Sequence, residues 1–221
     1  MSSPPDMRHE WPNVATHGVG LALSLAGASA LLGRVSLHAG VRPVASAWVF
    51  SATLVLLYAA STLYHAAPQG GIKQRLRVLD HCAIFLLIAG SYTPFALVGL
   101  RGRLGWSVLT TIWTLALVGI CLKTVFAGRG RQWSTSTYVA MGWLGLVVIG
   151  PITHDLRAIT LEWLLAGAGA YTAGALVFHY RRLPHHHALF HLLTVLGSAC
   201  HFMAVRRLLL IATTPTHGIW R

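Results

Sequence analysis

His187 and His191, in the run HALFH, stand four residues apart. On a continuous helix that spacing puts both imidazoles on one face, with Cβ atoms about 5 to 6 Å apart, a reach that suits one tetrahedral metal ion. Read alone, such a pair is more often an interfacial or pH-responsive face, and the preceding His185 and His186 leave the register open. His65 supplies a third nitrogen from a different segment. Three neutral imidazoles with one open position form a common catalytic zinc arrangement, and thiolate ligands do not accompany them, so zinc is the first metal to expect. Ser61, one turn before His65, and Asp80 are the candidate catalytic residues around that centre, because a carboxylate can orient a water at a metal or accept its proton. Each has a plainer alternative. Asp80 could pair with Arg75 or Arg77, and Ser61 could bond back to its own helix or pack at a helix contact.

The elements that must position these residues are long and apolar. With 55% apolar and only 10% charged residues, and a mean hydropathy of +0.61, the chain falls far from an ordinary soluble domain, which is about 25% charged. The pattern predicts an all-α integral membrane protein, a seven-transmembrane helix bundle in one domain, with spans of about 20 residues each. They are placed at Asn13–Gly33, Val44–Ala67, Leu79–Leu100, Leu104–Phe126, Trp133–Thr153, Ile159–Tyr180 and His187–Ile211, so that residues 13–211 form the bundle between a short segment 1–12 and a tail 212–221. Charge or helix breakers mark each gap: Arg34–Pro43, Pro68–Arg77 with Gly70 and Gly71, Arg101–Arg103, Gly128–Arg131, His154–Arg157, and Arg181–His186 with Pro184. The fifth span has the weakest pattern, with Ser134–Thr137 inside it and Gly150-Pro151 near its end. Pro94 with Gly90 predicts a kink in the third, and Trp48, Trp106, Trp133 and Trp163 lie near span ends, where the interface anchors them. Cys82, Cys121 and Cys200 fall within apolar runs and read as small packing residues rather than disulfides, which leaves the redox compartment open.

Seven spans assign sides by parity. His17, Ser61, His65, Asp80, His81, His187 and His191 all come to a similar depth on the N-terminal side, and a histidine in hydrocarbon needs a partner. His201, ten residues beyond His191, is about 15 Å further along the helix, too far to share a metal, and reads as a packing or polar-pair residue. His154 and Asp155 belong to the opposite surface, in a loop. Orientation is not fixed by charge. The N-terminal side holds nine basic residues (Arg8, Lys73, Arg75, Arg77, Lys123, Arg129, Arg131, Arg181, Arg182) and the other side the remaining eight of 17, too even for the positive-inside rule. The net charge of +12 is spread over every loop without a basic run or aromatic platform, which favours lipid headgroups and excludes nucleic acid. Met1–Pro12 carries no signal-peptide pattern, so the first span is expected to be retained.

Taken in order, Glu10, Asn13 and Thr16-His17-Gly18, then Ser61 to His65 as SxxxH, then Asp80-His81 leading into IFLLIAGSYTPF at Ile84–Phe95, and last His187 to His191 as HxxxH, closely resemble the hemolysin III family. That family is the bacterial branch of the progestin and adipoQ receptor superfamily, which includes the adiponectin receptors. The resemblance covers nearly the whole chain. It implies a seven-helix bundle with a cytoplasmic N-terminus, in a bacterial inner membrane, with zinc held by His65, His187 and His191 near the cytoplasmic face and Asp80 directed at water on the metal. The adiponectin receptors are credited with ceramide hydrolysis, and alkaline ceramidases share the plan. Bacterial members carry a cytolysin name and have been linked to membrane homeostasis. The long cytoplasmic domain of the animal receptors has no counterpart here, so ligand sensing of their kind does not carry over. Three functions follow in order: a zinc-dependent hydrolase of a lipid amide or ester, a zinc-stabilised regulator of membrane homeostasis without turnover, and a membrane-permeabilising cytolysin or ion pathway. A transporter should show ionisable groups across the full thickness, and the far half offers few beyond His201; pore formation likewise finds no polar stripe along any helix.

Overall fold

The computed structural model describes residues 10–35, 40–100, 102–126, 131–145 and 158–213, and the regular structure among them is helical throughout. Seven α-helices follow one another: α1 Trp11–Val35, α2 Val41–Ala66, α3 Gly71–Pro94, α4 Gly102–Val125, α5 Arg131–Trp143, α6 Ala158–His179 and α7 His186–Thr213. Six of them, all but α5, are long and apolar enough to cross a membrane. The protein is therefore a multi-pass integral membrane protein. The fifth span, expected over 133–153, appears as 13 helical residues and a short turn to residue 145. The remainder of that span, with His154 and Asp155, lies outside the described residues.

Contacts run α1 to α2, α2 to α3, α3 to α5, α5 to α6, α6 to α7, and α7 back to α1, with α4 packed outside against α3. In lipid, apolar burial gives little net drive for helix association, so close approach and side-chain hydrogen bonds carry the packing. Gly20 shows the first. A Cβ there would meet the Tyr58 ring at 2.6 Å, so α1 can lie against α2 at this height only without a side chain. The second appears in α5, whose polar residues made its pattern weak. Tyr138 Oη donates to the His81 carbonyl (3.1 Å), Trp143 Nε1 donates to Thr172 Oγ1 (3.0 Å), and Tyr92 Oη reaches the last carbonyls of α5 at Met141 and Gly142 (3.0 and 2.7 Å). These bonds pin α5 between α3 and α6. A buried core of Leu31, Phe50, Leu54, Phe95, Val205 and Leu209 fills the half of the bundle remote from the histidines. On α4, Leu117, Leu122 and Val125 stay exposed, as a lipid-facing helix requires.

Three expectations need correction. The third helix begins at Gly71, eight residues before the predicted Leu79, because the connection needs only the turn ending at Gly70, whose φ of 148° suits glycine. The basic stretch Lys73–Arg77 is helical but polar, so hydropathy alone misses it. Asp80 and His81 consequently sit in the third turn of α3 rather than the first. Cys82 and Cys200 are buried as expected, whereas Cys121 is exposed on α4; all three are free. Trp48 and Trp106 are exposed near span ends, but Trp163 packs against the core, and the Trp133 side chain is outside the described set. The break expected at Gly90 and Pro94 takes the form of a π turn, Phe95–Gly99, closed by Leu100 N–H on the Phe95 carbonyl (2.8 Å). Proline lacks the N–H that would bond the Gly90 carbonyl, so the helix re-registers just beyond it.

Candidate metal centre and cavity

His65 lies in the last turn of α2, and His187 and His191 in the first two turns of α7. The bundle brings their rings together: centroids are 5.0 Å apart for His65 and His187, 4.8 Å for His65 and His191, and 4.6 Å for His187 and His191. One nitrogen from each falls within 4.8 Å of the others. A tetrahedral zinc centre, with bonds of about 2.0 to 2.1 Å, needs nitrogens roughly 3.3 Å apart. The trio is thus slightly open around the point an ion would take, and small χ rotations close it. His65 and His191 are buried and His187 is half-buried.

Two orphaned atoms show that these rings fit a metal. His65 Nε2 and His191 Nδ1 are buried without any hydrogen-bond partner. A buried polar atom with no partner costs about 1 to 3 kcal/mol, and at His65, whose Nδ1 is taken by Glu10, a metal ion would satisfy the free Nε2. The group His65, His187 and His191 could therefore hold a metal ion.

α1 supports the cluster from outside. His17, also buried and with both ring nitrogens unpartnered, stacks on His191 at a centroid distance of 3.6 Å and 14° between planes, and meets Tyr58 edge-on at 5.1 Å. Just before α1, Glu10 Oε2 lies 2.6 Å from His65 Nδ1 and accepts a bond from Asn13 Nδ2 at 3.1 Å, while Lys73 Nζ stands 3.4 Å from Glu10 Oε1. Burial alone would raise the Glu10 carboxyl; the hydrogen bonds from His65 and Asn13 and the positive charge of Lys73 outweigh it and hold it below its usual value. Sequence reasoning grouped Glu10, Asn13 and His17 but could not assign them partners. Lys73 carried no signal beyond its charge.

His187 and His191, together with His17, line a cavity of about 250 Å³ among α1, α2, α3, α5, α6 and α7; His65 is not among its lining residues. Ser61 and Asp80 line it as well, with Arg77, Arg181 and His186 at the same end as the histidines. Ser61 Oγ is buried and within electrostatic reach of the Asp80 carboxyl, but makes no hydrogen bond of good geometry. Among the described residues Asp80 forms no ion pair with Arg75 or Arg77. His81 lines the cavity too, with Nδ1 turned back to the Arg77 carbonyl (2.7 Å), and stays outside the metal-capable group. Deeper in, Tyr58 and Tyr171 share Ser198 Oγ at 2.7 and 2.8 Å, and His201 closes the floor against Tyr171, with 5.3 Å between centroids. The His201 ring fills the space beside Gly167, where any Cβ would collide with it. Beyond His201 a second, apolar cavity continues past Phe95, Leu100, Val108 and Leu165.

Comparison with known proteins finds relatives along nearly the whole chain. Residues 6–202 match the family model described as "Haemolysin-III related". The chain is 41% identical to the Hemolysin-3 of Bacillus cereus over 199 residues, covering 90% of this chain and 91% of that one. It is 35% identical to the Hemolysin-3 homolog of Bacillus subtilis (strain 168), covering 90% and 93%. A more distant similarity, 26% over 201 residues, covers 87% of the chain and 81% of the human monocyte to macrophage differentiation factor.

Proposed function

The chain belongs to the haemolysin-III related family, and from that premise we propose that it is a zinc-dependent membrane hydrolase acting on a lipid amide or ester. One observation carries the reading: three imidazoles from two helices converge beside a cavity that two of them, His187 and His191, line, and that cavity has a basic mouth and an apolar depth, the shape of a lipid. His65, His187 and His191 are the three ligands. Zinc, when bound, supplies a Lewis acid that polarises a carbonyl and brings the pKa of a water to about 7.

The chain's own residues supply the rest. Asp80 accepts a proton at its carboxylate. The Ser61 hydroxyl beside it, buried and without a partner of good geometry, is the donor available to that carboxylate and would set its direction. Arg77 and Arg181 hold the polar head of the lipid, and the apolar walls formed by Leu57, Ile84, Leu87 and Ile88 exclude bulk water from the reacting carbonyl. In this reading the bundle has seven spans, the N-terminus is cytoplasmic, and the protein sits in a bacterial inner membrane.

A second reading shares the site. The ligands come from α2 and α7, which meet each other less extensively than each meets its sequence neighbours, so a metal there could serve as a staple in a regulator without turnover. Purified protein assayed against a panel of lipid amides and esters separates the two. Zinc-dependent release of fatty acid supports the hydrolase; bound zinc with no turnover on any member supports the staple. Dye leakage from vesicles, in the absence of hydrolysis, would support the permeabilising activity that the name of the Bacillus relatives suggests.

A further inference from the structure

We propose that Glu10 is a positioning residue for the metal centre, fixing the tautomer and direction of the His65 ring, with Lys73 locking the carboxylate in place. The inference rests on the metal reading above. Glu10 stands 55 positions before His65 in the chain, yet its Oε2 lies 2.6 Å from His65 Nδ1. A carboxylate accepts only, so at this distance Nδ1 carries the proton and donates. That choice leaves the lone pair on Nε2, the same atom that is buried without a partner. The ring is thereby presented to the cluster in one tautomer and one orientation before any ion arrives.

The carboxylate itself is held from both sides. Asn13 Nδ2 donates to Oε2 at 3.1 Å, and Lys73 Nζ stands 3.4 Å from Oε1. Lys73 is buried and also donates to the Ala67 and His65 carbonyls, at 3.1 and 3.4 Å, which are among the free acceptors at the end of α2. A plain ion pair capping α2 would account for Lys73 and Oε1. It leaves unexplained why the shorter contact goes to the imidazole. Carboxylate partners of metal-bound histidines raise ligand basicity, and losing one typically weakens metal binding about 10- to 100-fold.

The test is zinc affinity of the purified full chain, measured by competition with a chromophoric chelator, for wild type, Glu10→Gln and Glu10→Ala, together with ligand-field spectra of the cobalt-loaded proteins. Glu10→Gln keeps shape and an acceptor but loses charge, so it folds even where the alanine variant does not. Expected is weaker binding in the order wild type, Gln, Ala, reaching about 10- to 100-fold, with shifted cobalt bands while three histidines remain bound. Affinity within twofold of wild type in Glu10→Gln, with an unchanged cobalt spectrum, overturns the proposal, because a purely structural Glu10 would move neither once the protein is folded. A wild-type chain that binds no zinc, or one in which His65→Ala binds as tightly, instead overturns the metal reading beneath it.

Discussion

Exchanging Asp80 for asparagine tests whether the cavity is a reaction site. Asp80 lines the same cavity as His187 and His191 but lies outside the group whose nitrogens converge within 4.8 Å. Asparagine has nearly the same volume and keeps an oxygen toward Ser61, so neither the packing nor the metal ligands are disturbed. What it loses is proton affinity. A positioned general base contributes about 10² to 10⁴ in rate, which is about 3 to 5 kcal/mol of barrier at 1.36 kcal/mol per decade. Asp80→Asn should therefore retain one zinc per chain by metal analysis and an unaltered unfolding midpoint, while the rate constant for lipid-amide hydrolysis falls at least a hundredfold. Turnover within a factor of three of wild type would refute the proton-transfer role. Release of zinc as complete as in His65→Ala would refute it differently, by making Asp80 a direct ligand.

His65→Ala, His187→Ala and His191→Ala should each remove most of the bound zinc, measured by elemental analysis; full occupancy in all three would sink the site. Gly167→Ala should destabilise the bundle by about 1 to 3 kcal/mol through collision with His201, whereas Gly169→Ala, with open space around it, should not; equal unfolding midpoints would show that α6 and α7 yield at no cost. Single cysteines introduced near Pro5 and near Thr216, in a background with Cys82, Cys121 and Cys200 replaced by alanine, should be labelled in intact cells by an impermeant reagent only at the C-terminal site, and the opposite pattern reverses the proposed orientation.

The separability of these tests reflects what local spacing can encode. HxxxH and SxxxH are one-helix patterns, so each pair was legible as a shared face, and parity of the spans then put all of them at one depth. The order and type of the helices came from the same source. The start of α3 did not, because Ile72–Val78 is helical yet too basic to register as apolar, and the depth of Asp80 along its helix shifted with it. The contacts of Glu10 with His65 and of His17 with His191 join residues 55 and 174 positions apart. No periodicity reports such a pairing. The first exists because α1 packs against α2, the second because α7 returns to lie against α1, and both are facts of tertiary packing.

That return has a consequence for biogenesis. Helices enter the bilayer in chain order, and the candidate ligands lie on the second and the last described helices, with their outer supports on the first. Until α7 is inserted, His65 has Glu10 beside it but neither of the other two histidines. The three rings come together only with α7, so any metal ion they hold could be taken up only after that helix is inserted.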